Sequence, residues 1–159
     1  MKCPFPTALL LTPILYASAS ACEATLPDAR NLPASELQSI KGFVWVGSPA
    51  LAAQVPEGGL WKGMGPDHQF RDKWWWWREG YNANDEPVPE LEITAIMLDG
   101  EAPPVHIPRA TSAMEAREAP NPPRWHRILT LMEFPKPGCW AVTATYHGNE
   151  LKFVFQVEG

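Results

Sequence analysis

Cysteine is scarce in this chain, with 3 in 159 residues, and no two of them form a C-x-x-C pair. That excludes zinc ribbons, thioredoxin-type redox sites and disulfide-dense scaffolds. Basic residues are in deficit as well: 13 Lys plus Arg stand against 18 Asp plus Glu, a formal charge of −5 with the acids spread along the chain. A phosphate-binding stripe cannot be built from that balance, so nucleic acid is not an expected partner. Long apolar runs are missing too. The clearest, residues 8–17, is ten residues long and contains Pro13, whereas a spanning helix needs about 20. There is no glycine period and no heptad, which removes collagen and coiled coil, while 11% aromatic residues are too many for a chain that cannot collapse. Catalytic signatures are also absent: no GxSxG, HExxH, P-loop or GxGxxG is found, and Ser48 and Ser112 lie in turn-like stretches without a neighbouring histidine. Glu90 and Glu92 share one strand face, where solvent is the usual partner. The expectation is a chain that is not an enzyme and carries no cofactor.

What is present begins with an export segment. Lys2 gives a positive start, residues 8–17 (ALLLTPILYA) an apolar stretch, and Ala19, Ser20 and Ala21 the small residues that a signal peptidase requires. Residues 1–21 therefore read as a signal peptide. Cys22 follows at once, so Ser18-Ala19-Ser20-Ala21-Cys22 fits a permissive bacterial lipobox, with Cys22 acylated as the mature N-terminus. The expected location is extracytoplasmic, with a lipid anchoring the chain to the envelope membrane, or secreted and periplasmic if Cys22 is not acylated. In the first case Cys139 is a buried, inert thiol; in the second the two cysteines can pair as Cys22–Cys139. Residues 22–40 are polar and interrupted by proline, and read as a linker ahead of a domain over 41–159.

Within 41–159 the apolar pattern has a period of two. Trp140, Val142, Ala144 and Tyr146 share one face of 139–146, and Leu151, Phe153, Phe155 and Val157 one face of 151–157; His147-Gly148-Asn149-Glu150 between them reads as a tight turn. Trp140 is expected to anchor the core of that hairpin. Residues 90–98 alternate and stop at Asp99-Gly100; 43–46, 60–62, 70–77, 105–107 and 127–134 complete the candidate strands. With 18 prolines scattered between short runs, long helices are disfavoured. The pattern predicts an all-β, immunoglobulin-like antiparallel β-sandwich of about seven to eight short strands.

Phe134-Pro135-Lys136-Pro137-Gly138-Cys139-Trp140, Leu98-Asp99-Gly100 and Trp75-Trp76-Trp77-Arg78-Glu79-Gly80-Tyr81 resemble segments of a group of uncharacterised bacterial secreted or lipoprotein domains. The resemblance runs over most of 43–157. It implies an immunoglobulin-like sandwich and brings no catalytic residues with it.

Three further sets of residues carry candidate sites. Trp74, Trp75, Trp76 and Trp77 alternate across a strand, so one pair is core. The other pair lies under a cover, such as residues 111–123 with Arg78 stacked on an indole, or forms a platform for a sugar ring or a protein partner. His68, His106, His126 and His147 with Met64, Met97, Met114 and Met132 are side chains that suit copper, although no two of the histidines have ligand spacing; surface histidines and core methionines are the simpler account. Asn82, Asn84, Asp85 and Glu86 form an oxygen-rich run that could cup calcium, or simply a solvated turn. The resulting function is a binding or interaction module of the bacterial envelope, its ligand an unknown protein or carbohydrate, with a periplasmic copper-binding protein on the same sandwich as the alternative.

Overall fold

The C-terminal alternation becomes a hairpin in the computed structural model, which describes residues 22–29, 31–33, 37–62, 70–107, 109–115 and 125–159. Strand β9 (Gly138–Tyr146) pairs with β10 (Asn149–Val157) from Tyr146↔Asn149 to Gly138↔Val157. The turn is therefore only His147 and Gly148, both at positive φ (48° and 76°), as a twist-matched two-residue hairpin requires. Asn149 and Glu150, expected in the turn, belong to β10.

Upstream lie β1 (Phe43–Ser48), β2 (Leu51–Pro56), β3 (Leu60–Trp61), β4 (Arg71–Trp77), β5 (Glu92–Met97), β6 (Val105–Ile107), β7 (Ala110–Glu115) and β8 (Trp125–Glu133). They form two five-stranded sheets, β1-β2-β4-β8-β7 and β3-β10-β9-β5-β6, antiparallel throughout except for β3 beside β10. The chain is an all-β sandwich. It changes sheet between β2 and β3 through a one-turn 3₁₀ segment, Glu57–Gly59. Gly59 sits there at φ +69°, and an added Cβ would lie 2.4 Å from Ala24 Cβ, so both conformation and space demand glycine.

Two of the ten strands were not expected. Along β2 every residue is buried, because its outer face is covered as well as its inner one; a strand buried on both sides loses the period-two signal. In β7 (ATSAME) the small residues give little contrast between faces, and its span overlaps the loop expected over 111–123. The rest of that loop, the signal peptide, His68 and Met64 lie outside the described residues.

Between the sheets sits an aromatic core. Trp74 stacks on Phe153 at 6.0 Å between centroids and meets Trp61 edge-on at 6.1 Å; Trp140 packs on Phe134 at 5.1 Å. Trp140 is fully buried, as its strand phase requires.

Candidate functional site

The tetra-tryptophan strand gives the first geometry. Trp74 and Trp76 face the core, and the Trp76 indole N–H donates to Thr130 Oγ1 at 2.8 Å in the buried interior. On the outer face Trp77 is also buried, in a second cluster with Trp45, Ala52 and Leu37, against which Leu32 and the half-buried Trp75 pack. No open pair of indoles exists, so the ligand platform expected at Trp74, Trp75, Trp76 and Trp77 is not formed. Among the described residues the cover includes Leu32 and Leu37, two residues of the segment read as a linker; the part of 111–123 beyond Glu115 lies outside them. The cation is not Arg78: Arg127, buried, lies 5.4 Å from the Trp45 ring centroid and 5.9 Å from that of Trp75. The physical reason is area: an exposed pair of indoles would leave several hundred Å² of apolar surface in water, and the chain closes its own N-terminal segment over it.

That segment is fastened at its start. Cys22 is disulfide-bonded to Cys139, 117 positions away, with Cα atoms 5.4 Å apart. Trp140 points into the core, so Cys139 points out of the sheet and can be reached by Cys22; its N–H donates to Asp99 Oδ1 at 2.8 Å. Thr25 then forms an isolated antiparallel bridge with Val154, with two backbone hydrogen bonds of 3.0 Å. Residues 22–40 are thus a strap against the sandwich in their described part rather than a solvated spacer. The acylation expected at Cys22 conflicts with this arrangement, since one sulfur cannot carry both a thioether lipid and a disulfide.

At the opposite end of β9 a polar cluster ties three elements together. The Glu86 carboxylate accepts from the Tyr146 hydroxyl and faces His147 Nε2 at 3.3 Å, and its Oε1 accepts the Glu90 N–H at 3.3 Å. The Glu86 carbonyl accepts from Ser112 Oγ at 2.6 Å, and the Tyr81 hydroxyl, 3.1 Å from the same carbonyl oxygen, donates either to it or to Ser112 Oγ. The Arg78 guanidinium lies 5.5 Å from the Tyr146 ring centroid. Burial alone would raise the Glu86 carboxyl, but hydrogen bonds from Tyr146, His147 and Glu90 outweigh it and hold the group below the ordinary carboxylate range. Burial first, and then the Glu86 carboxylate, push the Tyr146 hydroxyl far above its usual value.

This cluster pins the 78–90 loop to the β9–β10 turn, and it sets a pH dependence. A carboxyl depressed in the folded state stabilises the fold above its unfolded pKa, and that stabilisation fades as pH falls through the lower folded value. Glu86→Gln should therefore cost roughly 1–2 kcal/mol at pH 7 and show a flatter loss of stability than the parent below about pH 4.5. Parallel acid titrations of the two proteins by circular dichroism would contradict the clamp if the curves keep a constant separation. Tyr81 and Glu90 are near Glu86 in the sequence, but Ser112, Tyr146 and His147, which make the cluster a clamp, lie 26, 60 and 61 positions away, so no local pattern marks it.

The remaining candidates disperse. In the 82–86 run Asn82 Oδ1 accepts the Asn84 N–H at 3.0 Å, Asn82 Nδ2 donates to Asp85 Oδ2 at 2.7 Å, and Glu86 turns toward Tyr146. Its oxygens serve the turn and the clamp. His126 Nδ1 accepts the Ala83 N–H at 2.8 Å, His106 lies beside Thr94, and His147 is engaged with Glu86. Met132 is core and Met97 packs against it. Among the described residues no group of three His, Cys, Asp or Glu side chains could hold a metal, and no helix is long and apolar enough to cross a membrane.

No family model and no curated protein matches the chain. Among solved structures it is similar to a "Putative Lipoprotein from Bacillus anthracis", with 14% identity over 81% of this chain and 89% of that one and a TM-score of 0.37.

Proposed function

We propose that the chain is an exported, disulfide-clamped, immunoglobulin-like sandwich that works as a non-catalytic binding module outside the cytoplasm. The observation that carries this reading is the Cys22–Cys139 disulfide, which closes a loop of more than a hundred residues and fixes the strap. Such a bond persists where the compartment is oxidising. The export segment over 1–21 supports the same location. The immunoglobulin-like assignment is supported by strand order: β2-β4-β8-β7 against β10-β9-β5 follows the A-B-E-D and G-F-C arrangement, with β6 in the place of C′. The binding role is supported by chemistry already in use. The Ser112 hydroxyl is bonded to the Glu86 carbonyl and to Tyr81, and the Glu86 carboxylate to Tyr146 and His147, so these groups act as fasteners rather than as nucleophile and base.

Intact and peptide mass spectrometry of the exported chain tests the reading. The expected result is a chain beginning at Cys22, two hydrogens lighter than the dithiol, whose cysteines resist alkylation until reduced. A diacylglyceryl adduct on Cys22, or two freely alkylated thiols in the exported protein, would overturn it.

A further inference from the structure

The outer face of the sheet formed by β1, β2, β4 and β8 carries polar groups that its cover does not serve. Gln54 is 2% exposed, and among the described residues its Nε2 has no hydrogen-bond partner; the indole Nε1 of Trp45, also buried, has none. The two residues stand directly opposite each other across β1 and β2, so their side chains leave the sheet about 5 Å apart. The register Ala53↔Trp76, carried one residue on, sets Gln54 beside Trp75 on β4. An amide thus lies in one row between two indoles. The Arg127 guanidinium, engaged elsewhere as well, stands 5.4 and 5.9 Å from their ring centroids. Ala52 and Trp77 form the next row.

Both unpaired groups are donors, and the charge beside them is positive. A buried donor with no acceptor costs the full desolvation of that group, and a ligand that brings the acceptor accounts for keeping it there. The cover brings leucines instead: Leu32 and Leu37 pack on this cluster. It is also lightly fastened. Thr25 is bonded to Val154, and the Gly42 carbonyl accepts from the Glu57 N–H. Between those points the backbone bonds among the described residues are local: Leu32 N–H to the Ala29 carbonyl at 3.5 Å, Leu37 N–H to the Pro33 carbonyl at 3.0 Å, and Phe43 N–H to the Ile40 carbonyl at 3.0 Å. A segment held to its surroundings by a few side chains opens for a fraction of the cost of global unfolding.

We propose that the face made by Trp45, Gln54, Trp75 and Trp77 is a carbohydrate site, covered in this structure by Leu32 and Leu37 and entered when they lift, while the Cys22–Cys139 bond keeps the strap attached. A pyranose ring has a C–H face to lie on an indole, and oxygens around its edge to accept from Gln54 Nε2 and Trp45 Nε1. A lipid tail has no acceptor, and a polypeptide already lies over this face and leaves both donors unpaired. This rests on the reading of the chain as a binding module and names its ligand class.

The test is an amide-resolved NMR titration of the disulfide-bonded chain with cellotetraose, with chitotetraose, and with a capped peptide copying residues 32–37. Saturable shifts confined to β1, β2 and β4 are expected with at least one of the sugars. Gln54→Leu removes an unpaired donor, so it should raise the Tm of the free protein by about 2–5 °C and weaken sugar binding at least tenfold. Leu37→Ala should lower Tm and yet tighten binding two- to tenfold, because it raises the fraction of molecules with the face open. A residue that serves packing alone moves neither binding constant in these directions. No saturable binding of either sugar to the parent or to Leu37→Ala, or equal binding by Gln54→Leu, would overturn the site. Saturation of the same amides by the peptide and not by the sugars would make the occupant a polypeptide and overturn the carbohydrate assignment. A negative titration on a chain whose disulfide is intact removes this site and leaves the wider reading standing.

Discussion

Replacing Trp74 with alanine should remove about 3–5 kcal/mol of stability, the range of large-to-small changes at buried aromatic positions. Trp74 is 1% exposed, stacks on Phe153 and also meets Trp61 and Phe155. Those rings come from two paired strands of the facing sheet, β3 and β10, and are held by their backbones from collapsing into the space an indole leaves. Its neighbour offers an internal control. Trp75 points outward, is half-buried, and touches Arg127 and the strap cluster; Trp75→Ala should cost about 1–2 kcal/mol, nearer to a surface change. Urea unfolding of the two variants reads the difference directly. Equal losses would mean that the strand alternation across the four indoles is not as described. Since a domain of this size has only about 5–15 kcal/mol in total, Trp74→Ala should be visibly prone to unfolding at physiological temperature.

Removing the disulfide with Cys22→Ser and Cys139→Ser should be nearly as damaging, by a different route. The bond closes a loop spanning 117 positions, and loop-closure entropy for a ring of that size corresponds to about 4–5 kcal/mol at 25 °C. For a domain of this length that lowers Tm by on the order of 10–20 °C. Loss of the latch also loosens the strap, so the emission of Trp77, buried under it, and of Trp75 should move to the red before global unfolding. Thermal unfolding monitored at once by far-ultraviolet dichroism and by tryptophan emission would separate the events. Coincident transitions in the double variant would mean that the strap is held by Leu32 and Leu37 alone and that the bond contributes only to the unfolded chain. The single variant Cys139→Ser should behave like the double one in both respects.

Several features of the fold were legible because they are local. The alternation of Trp140, Val142, Ala144 and Tyr146 against Leu151, Phe153, Phe155 and Val157 placed both strands of the last hairpin and buried every one of those residues. Residues 105–107 form β6 over the expected span, and β4 covers 71–77 of the expected 70–77. Where one face meets the core and the other meets water, the period-two pattern carries the strand. It failed at β2, where both faces are buried, and at β7, where neither face is distinctive.

By itself, then, the sequence determined the strand phase of its alternating segments, the inward turn of Trp140, the turn at Gly148 and the two possible fates of Cys22. These follow from steric and hydrophobic rules acting within a few residues. The tertiary structure alone brought Cys22 to Cys139, laid Leu32 and Leu37 on the outer indoles, and set Arg127 rather than Arg78 against them. It also decided that Glu86 clamps a turn 61 positions away. Each of these joins residues that are distant in sequence and near only after two sheets have closed, and no local pattern encodes a distance that the closing of the sheets creates.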